Sequence, residues 1–216
     1  MPEYLPLCAF RQDLLPSPCR SCTWWQDCSG QIRDEADGRD ARRRWMTDLE
    51  QTWGSVGLIA IGGNPGANSS SPPIPLASIH YAPAAALPRL RQLPLGRFVP
   101  GEAAVLFCLR VNEDTCRYPP RRILHKALGL LRERNVTEVY ALAAPDGCPD
   151  EDLSCRYFSL AFLEANGFAV VHDDGNLFLM RADLRGLLAV LAQVQGLVRR
   201  LLHHEPTPSP AAWSGR

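Results

Sequence analysis

The chain has 216 residues, of which 23 are basic and 23 acidic, so its formal net charge at pH 7 is zero. Hydrophobic residues make up 46% of it, which excludes a disordered chain, and the neutral charge argues against a general nucleic-acid binder. No apolar run approaches the roughly 18 residues of a membrane span. The first 18 residues lack the pattern of a secretory signal, so we expect a cytoplasmic protein.

Half of the eight cysteines lie close together near the N-terminus, at Cys8, Cys19, Cys22 and Cys28. The C-x2-C pair Cys19 and Cys22 could share a zinc ion with the other two. Alternatively, Trp24 and Trp25 pack this arm, residues 1–38, onto the main domain, and the cysteines fill small buried gaps. The second C-x2-C pair of a usual zinc site is missing, so we expect no metal. No strand precedes the pair, which disfavours a redox role.

The first half of the main domain, residues 39–204, reads as a helix followed by a hairpin. Apolar residues recur at helical spacing over Asp40–Trp53, with Asp40 as the N-cap. An apolar strand, Ser55–Gly62, precedes a loop rich in Gly, Asn, Ser and Pro, Gly63–Pro75. A second strand, Ala77–Tyr81, completes the predicted hairpin.

The middle of the chain predicts a strand, a helix and a strand. Ala103–Val111 is continuously apolar, as a strand covered on both faces should be. Pro119 and Pro120 mark a helix start, and helical periodicity continues to about Arg134. The next strand is Glu138–Ala143, so this segment predicts a crossover between parallel strands.

The last third predicts further elements and a tail. A helix over Arg156–Asn166 ends at Gly167. Two strands joined by a turn and a last helix that starts at Asp183 follow, and residues 205–216 form a disordered tail. The two strands are Phe168–His172 and Leu177–Arg181.

This order of elements resembles the GNAT N-acetyltransferases. Ala103–Val111 is similar to the family's central strand and Pro120–Arg134 to the helix after it. Phe162–Phe168 (FLEANGF) is similar to the family's late F-Y-E-x-x-G-F segment. The C-R-x-C-x-W-W arm also resembles an N-terminal extension of some bacterial members. The resemblance covers roughly residues 42–183.

The resemblance implies a mixed α/β sheet whose central strand pair parts around residue 111, with acetyl-CoA as substrate in the gap. A backbone N–H of the central strand would polarise the thioester carbonyl, from Leu109, Arg110 or Val111. The family binds the pyrophosphate on a loop written Q/R-x-x-G-x-G/A, where a helix begins and exposed N–H groups attract anions.

The phosphate loop of this chain, Cys116–Arg121, departs from that pattern because Pro119 and Arg121 replace both glycines. Proline has no N–H, so the loop lacks backbone donors at positions where the family's loop binds the pyrophosphate. Arg117, Arg121 and Arg122 partly offset the loss, because guanidinium groups bind phosphate strongly. These arginines either bind an anion or form a solvated basic surface.

The family's general acid, a tyrosine, is replaced by Leu163, which cannot donate a proton. Tyr157 lies six residues earlier on the predicted helix, about 1.7 turns away, so it points elsewhere and does not replace it. Glu113 and Asp114, just after the central strand, are weak candidates for a general base.

Three functions therefore remain open. The chain transfers an acyl group from acetyl-CoA to an unidentified amine, or it is a non-catalytic module with a degenerate phosphate loop. The third alternative is a zinc- or thiol-dependent interaction protein that uses the cysteine-rich arm.

Overall fold

A mixed sheet of eight strands organises the computed structural model, which describes residues 2–17, 19–29, 31–62, 74–112, 118–146 and 156–185. Residues 1–184 form one compact unit. The strands are β1 (Glu3–Pro6), β2 (Gly57–Gly62), β3 (Ile74–Pro83), β4 (Ala104–Val111), β5 (Glu138–Ala144), β6 (Phe158–Ser159), β7 (Ala169–Asp173) and β8 (Phe178–Asp183). The α-helices are α1 (Glu35–Thr52), α2 (Pro88–Gln92), α3 (Pro120–Glu133) and α4 (Leu160–Glu164).

The strand order is β1-β2-β3-β4-β5-β8-β7, with β6 paired to β5 outside this path. β4 and β6 are each parallel to β5, whereas all other neighbours are antiparallel. The predicted fold class, a mixed α/β sheet, is confirmed. The predicted hairpin of β2 and β3 and the β4-α3-β5 crossover are also confirmed, with bounds that differ by at most three residues.

Helix α1 begins five residues before the predicted start at Asp40. Asp34 is the N-cap, and its carboxylate accepts a hydrogen bond from the backbone N–H of Asp37 at 2.9 Å. Asp40 lies inside the helix. Both Asp34 and Asp40 precede the apolar positions of the helix, and both can act as an N-cap. The residues between them are mostly polar, so they show no apolar periodicity that would place the helix start before Asp40.

The helix predicted over Arg156–Asn166 is wrong at its start, because α4 covers only Leu160–Glu164. Ser159 caps it, with its hydroxyl accepting from the N–H of Phe162 at 3.1 Å. Asp146 supports the same turn by accepting from Ser159 Oγ and from the N–H of Ala161. These caps allow the preceding residues to extend and pair with β5 as β6. Tyr157 is therefore not on the helix.

The N-terminal arm contributes to the sheet and to its core. β1, which the sequence did not predict, pairs with β2. Trp25 is 2% exposed and packs with residues of β3, β4 and β5, as expected for a tryptophan that packs the arm onto the domain. A smaller cluster holds Leu7 and Leu15 of the arm against Met46 of α1 and Ile59 of β2. The arm and α1 thus cover the same face of the sheet.

Several predicted segments lie outside the described residues. They are most of the loop Gly63–Pro75, the last helix beyond residue 185 and the tail 205–216. Within the described part of the chain, no helix is long and apolar enough to cross a bilayer.

Candidate functional site

The central strands β4 and β5 part halfway along their length. Their parallel pairing covers Ala104–Leu106 on β4 and Val139–Ala141 on β5. β4 nevertheless continues to Val111 and β5 to Ala144. The splayed strand pair implied by the resemblance is confirmed, but it opens directly after Leu106 rather than around residue 111.

A bulge in β4 lies at the point where the strands part. His80 of β3 pairs with Phe107, whereas Ser78 pairs with Arg110, so β3 has one residue where β4 has two, Cys108 and Leu109. Cys108 has a φ of 51°, in the left-handed region that non-glycine residues rarely adopt. Bulges bend and twist a strand. This bulge therefore accounts for the turn of β4 away from β5.

The edge of β5 that β4 leaves is taken by β6. Phe158 and Ser159 pair in parallel with the end of β5, whose other edge is bonded to β8. Trp25 then bridges the two sides of the gap on the arm face. Its ring centroid is 5.6 Å from that of Phe107 on β4 and 6.1 Å from that of Tyr157, which precedes β6. Burial raises the pKa of Tyr157, so its hydroxyl stays protonated at neutral pH.

Helix α3 is the next helix after β4 in the chain. Pro119 is the N-cap without a side-chain hydrogen bond, and Pro120 is the first helical residue. Arg121 and Arg122 are exposed in the first turn. Tyr118 is buried, and its hydroxyl donates to that of Tyr4 on β1 at 3.0 Å. The helix start is thus anchored to the far edge of the sheet, while its two arginines face solvent.

A cavity of about 390 Å³ lies next to the end of β4. Arg110, Val111, Asn112 and Ser78 of β3 are among the residues that line it. The Ser78 side chain is 3% exposed, and its hydroxyl has no hydrogen-bond partner among the described residues. The arm closes the cavity with Leu14, Pro16 and Ser17.

The structure describes some of the site residues that the sequence predicted, and others lie outside the described part of the chain. Arg110 and Val111 line the cavity, and Leu109 lies in the bulge. Arg121 and Arg122 lie at the start of α3. Glu113, Asp114 and Arg117 lie outside the described residues, so their roles stay predictions.

Leu163 occupies the position of the family's tyrosine and is fully buried on α4. An apolar side chain in the core supplies no proton to a leaving group. The described residues around the gap therefore offer no side chain at this position for general-acid catalysis.

Sequence reasoning missed a buried polar cluster on the arm face. Arg42 of α1 is 2% exposed, and its Nη1 donates to the carbonyl oxygen of Cys22 at 2.6 Å. Its Nη2 lies 3.1 Å from Nδ1 of His80, which is 1% exposed. Burial and the Arg42 charge together hold the pKa of His80 well below 6.5, so the ring is neutral and its Nδ1 accepts. Helical spacing is the signal that could have found Arg42, since it lies four residues before Met46 on the buried side of α1, whereas Arg43 and Arg44 are exposed.

The arm cysteines do not converge on a metal site. Among the described residues no three of the His, Cys, Asp and Glu side chains are arranged to hold a metal ion. Cys8 is buried, and burial raises the pKa of its thiol, which keeps it protonated.

The mixed sheet and the parting of β4 from β5 match the arrangement that the sequence resemblance implied. The open mixed sheet of eight strands with a parted central pair is similar to the GNAT acyltransferase fold. No family model matches the chain, and no curated protein matches it.

Solved structures with a similar fold include three acetyltransferases. The PaiA N-acetyltransferase of Thermoplasma acidophilum, solved in complex with coenzyme A, is 15% identical, with a TM-score of 0.48 over 85% of this chain and 99% of that one. The ribosomal-protein-S18-alanine N-acetyltransferase of Escherichia coli is 13% identical, with a TM-score of 0.45 over 85% and 94%. A GNAT-family acetyltransferase of Listeria monocytogenes 4b F2365 is 12% identical, with a TM-score of 0.49 over 84% and 94%.

Proposed function

We propose that the chain binds acetyl-CoA in the gap between β4 and β5 and transfers the acetyl group to an amine. The observation that carries this proposal is the parting of the two strands after Leu106 and Ala141 while both continue. An extended ligand with amide groups can add to the edge of β4 as a further strand would, since β6 takes the edge of β5. The pantetheine arm of coenzyme A is such a ligand.

The start of α3 supports a negatively charged ligand. A helix N-terminus carries roughly half a positive charge, and cations there are unfavourable by about 0.3–1 kcal/mol each. Arg121 and Arg122 are nevertheless both in the first turn. A bound pyrophosphate would turn this repulsion into attraction, with guanidinium groups replacing the N–H donors that Pro119 and Pro120 lack.

The acceptor amine would enter through the cavity beside Arg110 and Asn112. Its volume of about 390 Å³ suits a small molecule or the end of a peptide. Positioning two bound reactants is itself a large part of catalysis, so transfer remains possible without a general acid at Leu163.

A second candidate function is a non-catalytic module that binds a coenzyme A-type ligand without turnover. Two observations favour it: Leu163 is fully buried, and two prolines stand where the family has its phosphate-binding loop.

Replacing both Arg121 and Arg122 with glutamine should weaken acetyl-CoA binding by about thirtyfold to a thousandfold, since each lost charge-assisted hydrogen bond costs about 1–2 kcal/mol. Isothermal titration calorimetry of the full chain measures the change. Dephospho-coenzyme A retains the pyrophosphate. The double variant should therefore bind it more weakly than the original protein does, by a similar factor.

The matched control is Arg132→Gln, which removes an arginine from the other end of α3 and should leave the dissociation constant unchanged. Equal affinity of the double variant and the original protein would refute the proposed phosphate site. Saturable binding without acetylation of any amine in a broad acceptor panel would favour the non-catalytic module.

A further inference from the structure

The cavity beside the end of β4 contains a buried hydroxyl group that lacks a hydrogen-bond partner. Ser78 is 3% exposed, and its Oγ is not hydrogen-bonded to any described residue. The sheet register places Ile59 of β2, Ser78 of β3 and Arg110 of β4 side by side. Cross-strand neighbours point to the same face of a sheet, and all three residues line the cavity. Because burying an unbonded hydroxyl is costly, Ser78 indicates a polar ligand at this place.

The charge of the cavity restricts the chemistry of that ligand. Arg110 is the one charged side chain among the described lining residues, which include no aspartate or glutamate. A guanidinium has five N–H donors, so it can bind an anion together with its other partners. A simple amine is protonated at neutral pH and would bring a second positive charge into the cavity. A ligand that carries its own carboxylate removes this repulsion, because the carboxylate pairs with Arg110.

The remaining walls of the cavity are mostly apolar and are held by backbone contacts. Asn112 ties β4 to β3 at one edge of the cavity: its backbone N–H donates to the carbonyl oxygen of Leu76 at 2.8 Å, and its Nδ2 donates to that of Pro75 at 3.0 Å. A preformed apolar pocket with few polar groups is typical of small-molecule sites. It suits an apolar side chain on the ligand. The apolar lining residues include Leu14, Ile59 and Val111.

The cavity also borders the half of β4 that has parted from β5. Leu106 is the last residue of β4 that pairs with β5, and Arg110 follows it on the same strand. Arg110 pairs with Ser78 on the β3 side of β4, so the opposite edge of β4 is the one that faces the gap. A ligand held at Arg110 therefore lies beside the strand on which the thioester would bind.

We propose that the acceptor is an α-amino acid with an apolar side chain, held by its carboxylate on Arg110 and on Ser78 Oγ. The inference rests on the proposed function and names the substrate class of that site. The carboxylate accepts from both residues, and the apolar side chain packs against the apolar wall. A peptide N-terminus lacks this carboxylate, so the cavity distinguishes free amino acids from peptides.

The transfer balances without an oxidant or reductant. The ammonium group of the amino acid first loses one proton to solvent. Its nitrogen then attacks the thioester carbonyl carbon, a C–N bond forms, and the C–S bond to coenzyme A breaks. The excess proton on nitrogen passes through solvent to the departing thiolate. The products are an N-acetyl amino acid and coenzyme A.

The experiment compares amino acids with analogues that differ only in the carboxylate. The full chain is incubated with acetyl-CoA and with L-leucine, L-valine or L-methionine, each beside its amide, and isopentylamine serves as leucine without a carboxylate. Mass spectrometry of the acetylated products gives the rates. We expect kcat/KM for at least one amino acid to exceed that of its amide by about tenfold or more, since a hydrogen bond to a charged group is the stronger one.

Two variants test the residues that hold the carboxylate. Ser78→Ala and Arg110→Gln should each weaken calorimetric binding of the preferred amino acid by about tenfold or more and leave isopentylamine within about twofold. Ser78→Ala removes a buried hydroxyl without a partner, so it should fold and keeps the test decisive if Arg110→Gln does not. Arg132→Gln, at the end of α3, is the matched control and should bind as the original protein does.

The failure of this inference can be distinguished from that of the proposed function. Binding of acetyl-CoA with equal turnover of amino acids, amides and isopentylamine overturns the inference and leaves the proposed function intact. Unchanged binding of the amino acid in both variants overturns the assignment of Ser78 and Arg110. Carboxylate-dependent binding by a chain that does not bind acetyl-CoA supports the carboxylate site and overturns the proposed transfer.

Discussion

Replacing Trp25 with alanine is expected to lower the free energy of unfolding by about 3–5 kcal/mol. The side chain is 2% exposed and contacts Phe107 and Tyr157 on the two sides of the gap. Alanine leaves a cavity between β4 and β6 that the sheet cannot close, because backbone pairing fixes both strands. Urea denaturation followed by circular dichroism measures the change.

Two control variants separate the ring contacts from other effects. Trp25→Phe keeps an aromatic ring and removes an indole N–H that has no partner among the described residues, so it should cost clearly less than alanine. Phe10→Ala removes a ring that is 76% exposed and should stay within about 0.5 kcal/mol. If Trp25→Ala lowered the free energy of unfolding by less than about 1 kcal/mol, the result would contradict the buried position of Trp25.

Acidification should destabilise the protein through His80. The folded-state pKa of this ring lies well below 6.5, because burial and the Arg42 charge both oppose the protonated form. Below the unfolded-state pKa of about 6.5, the unfolded chain binds a proton that the folded chain does not. The contribution of His80 to the free energy of unfolding is therefore complete above that pH and falls by about 1.4 kcal/mol per unit below it.

The variant His80→Asn isolates this effect, since it keeps a side chain that can accept from Arg42 but does not titrate. The stability difference between the original protein and the variant should shrink by about 2 kcal/mol between pH 6.5 and pH 5. If the free energy of unfolding of His80→Asn changed with pH in parallel with that of the original protein, His80 would titrate freely in the folded state.

Local sequence patterns predicted the strand and the helix that lie next to the gap, β4 and α3. The strand β4 is predicted by the continuous apolar run Ala103–Val111, and α3 by the helical periodicity after Pro120. Both patterns lie within the segment that they predict, and both elements formed as expected. β1 was missed because its four residues are too few to show alternation. The start of α4 was missed because Tyr157 and Phe158 satisfy a helical pattern while tertiary pairing extends them.

The site could be predicted only in part because its chemistry depends on contacts between distant segments. Arg42 lies about two turns into α1, among arginines that face solvent, and only the packing of the arm against β3 and β4 buries it. The bulge at Cys108 arises from a register shift against β3, which no single segment encodes. The sequence likewise cannot show that β6 takes the edge of β5 that β4 leaves.

The most direct measurement is a titration of ¹⁵N-labelled protein with acetyl-CoA, followed through backbone amide resonances. Occupation of the gap should produce saturable shifts at Phe107–Val111 of β4 and at Arg121 and Arg122 of α3, while β7 at the sheet edge stays unchanged. Unchanged β4 and α3 resonances at millimolar acetyl-CoA, or shifts confined to other surfaces, would contradict the proposal that the parted strands hold a thioester.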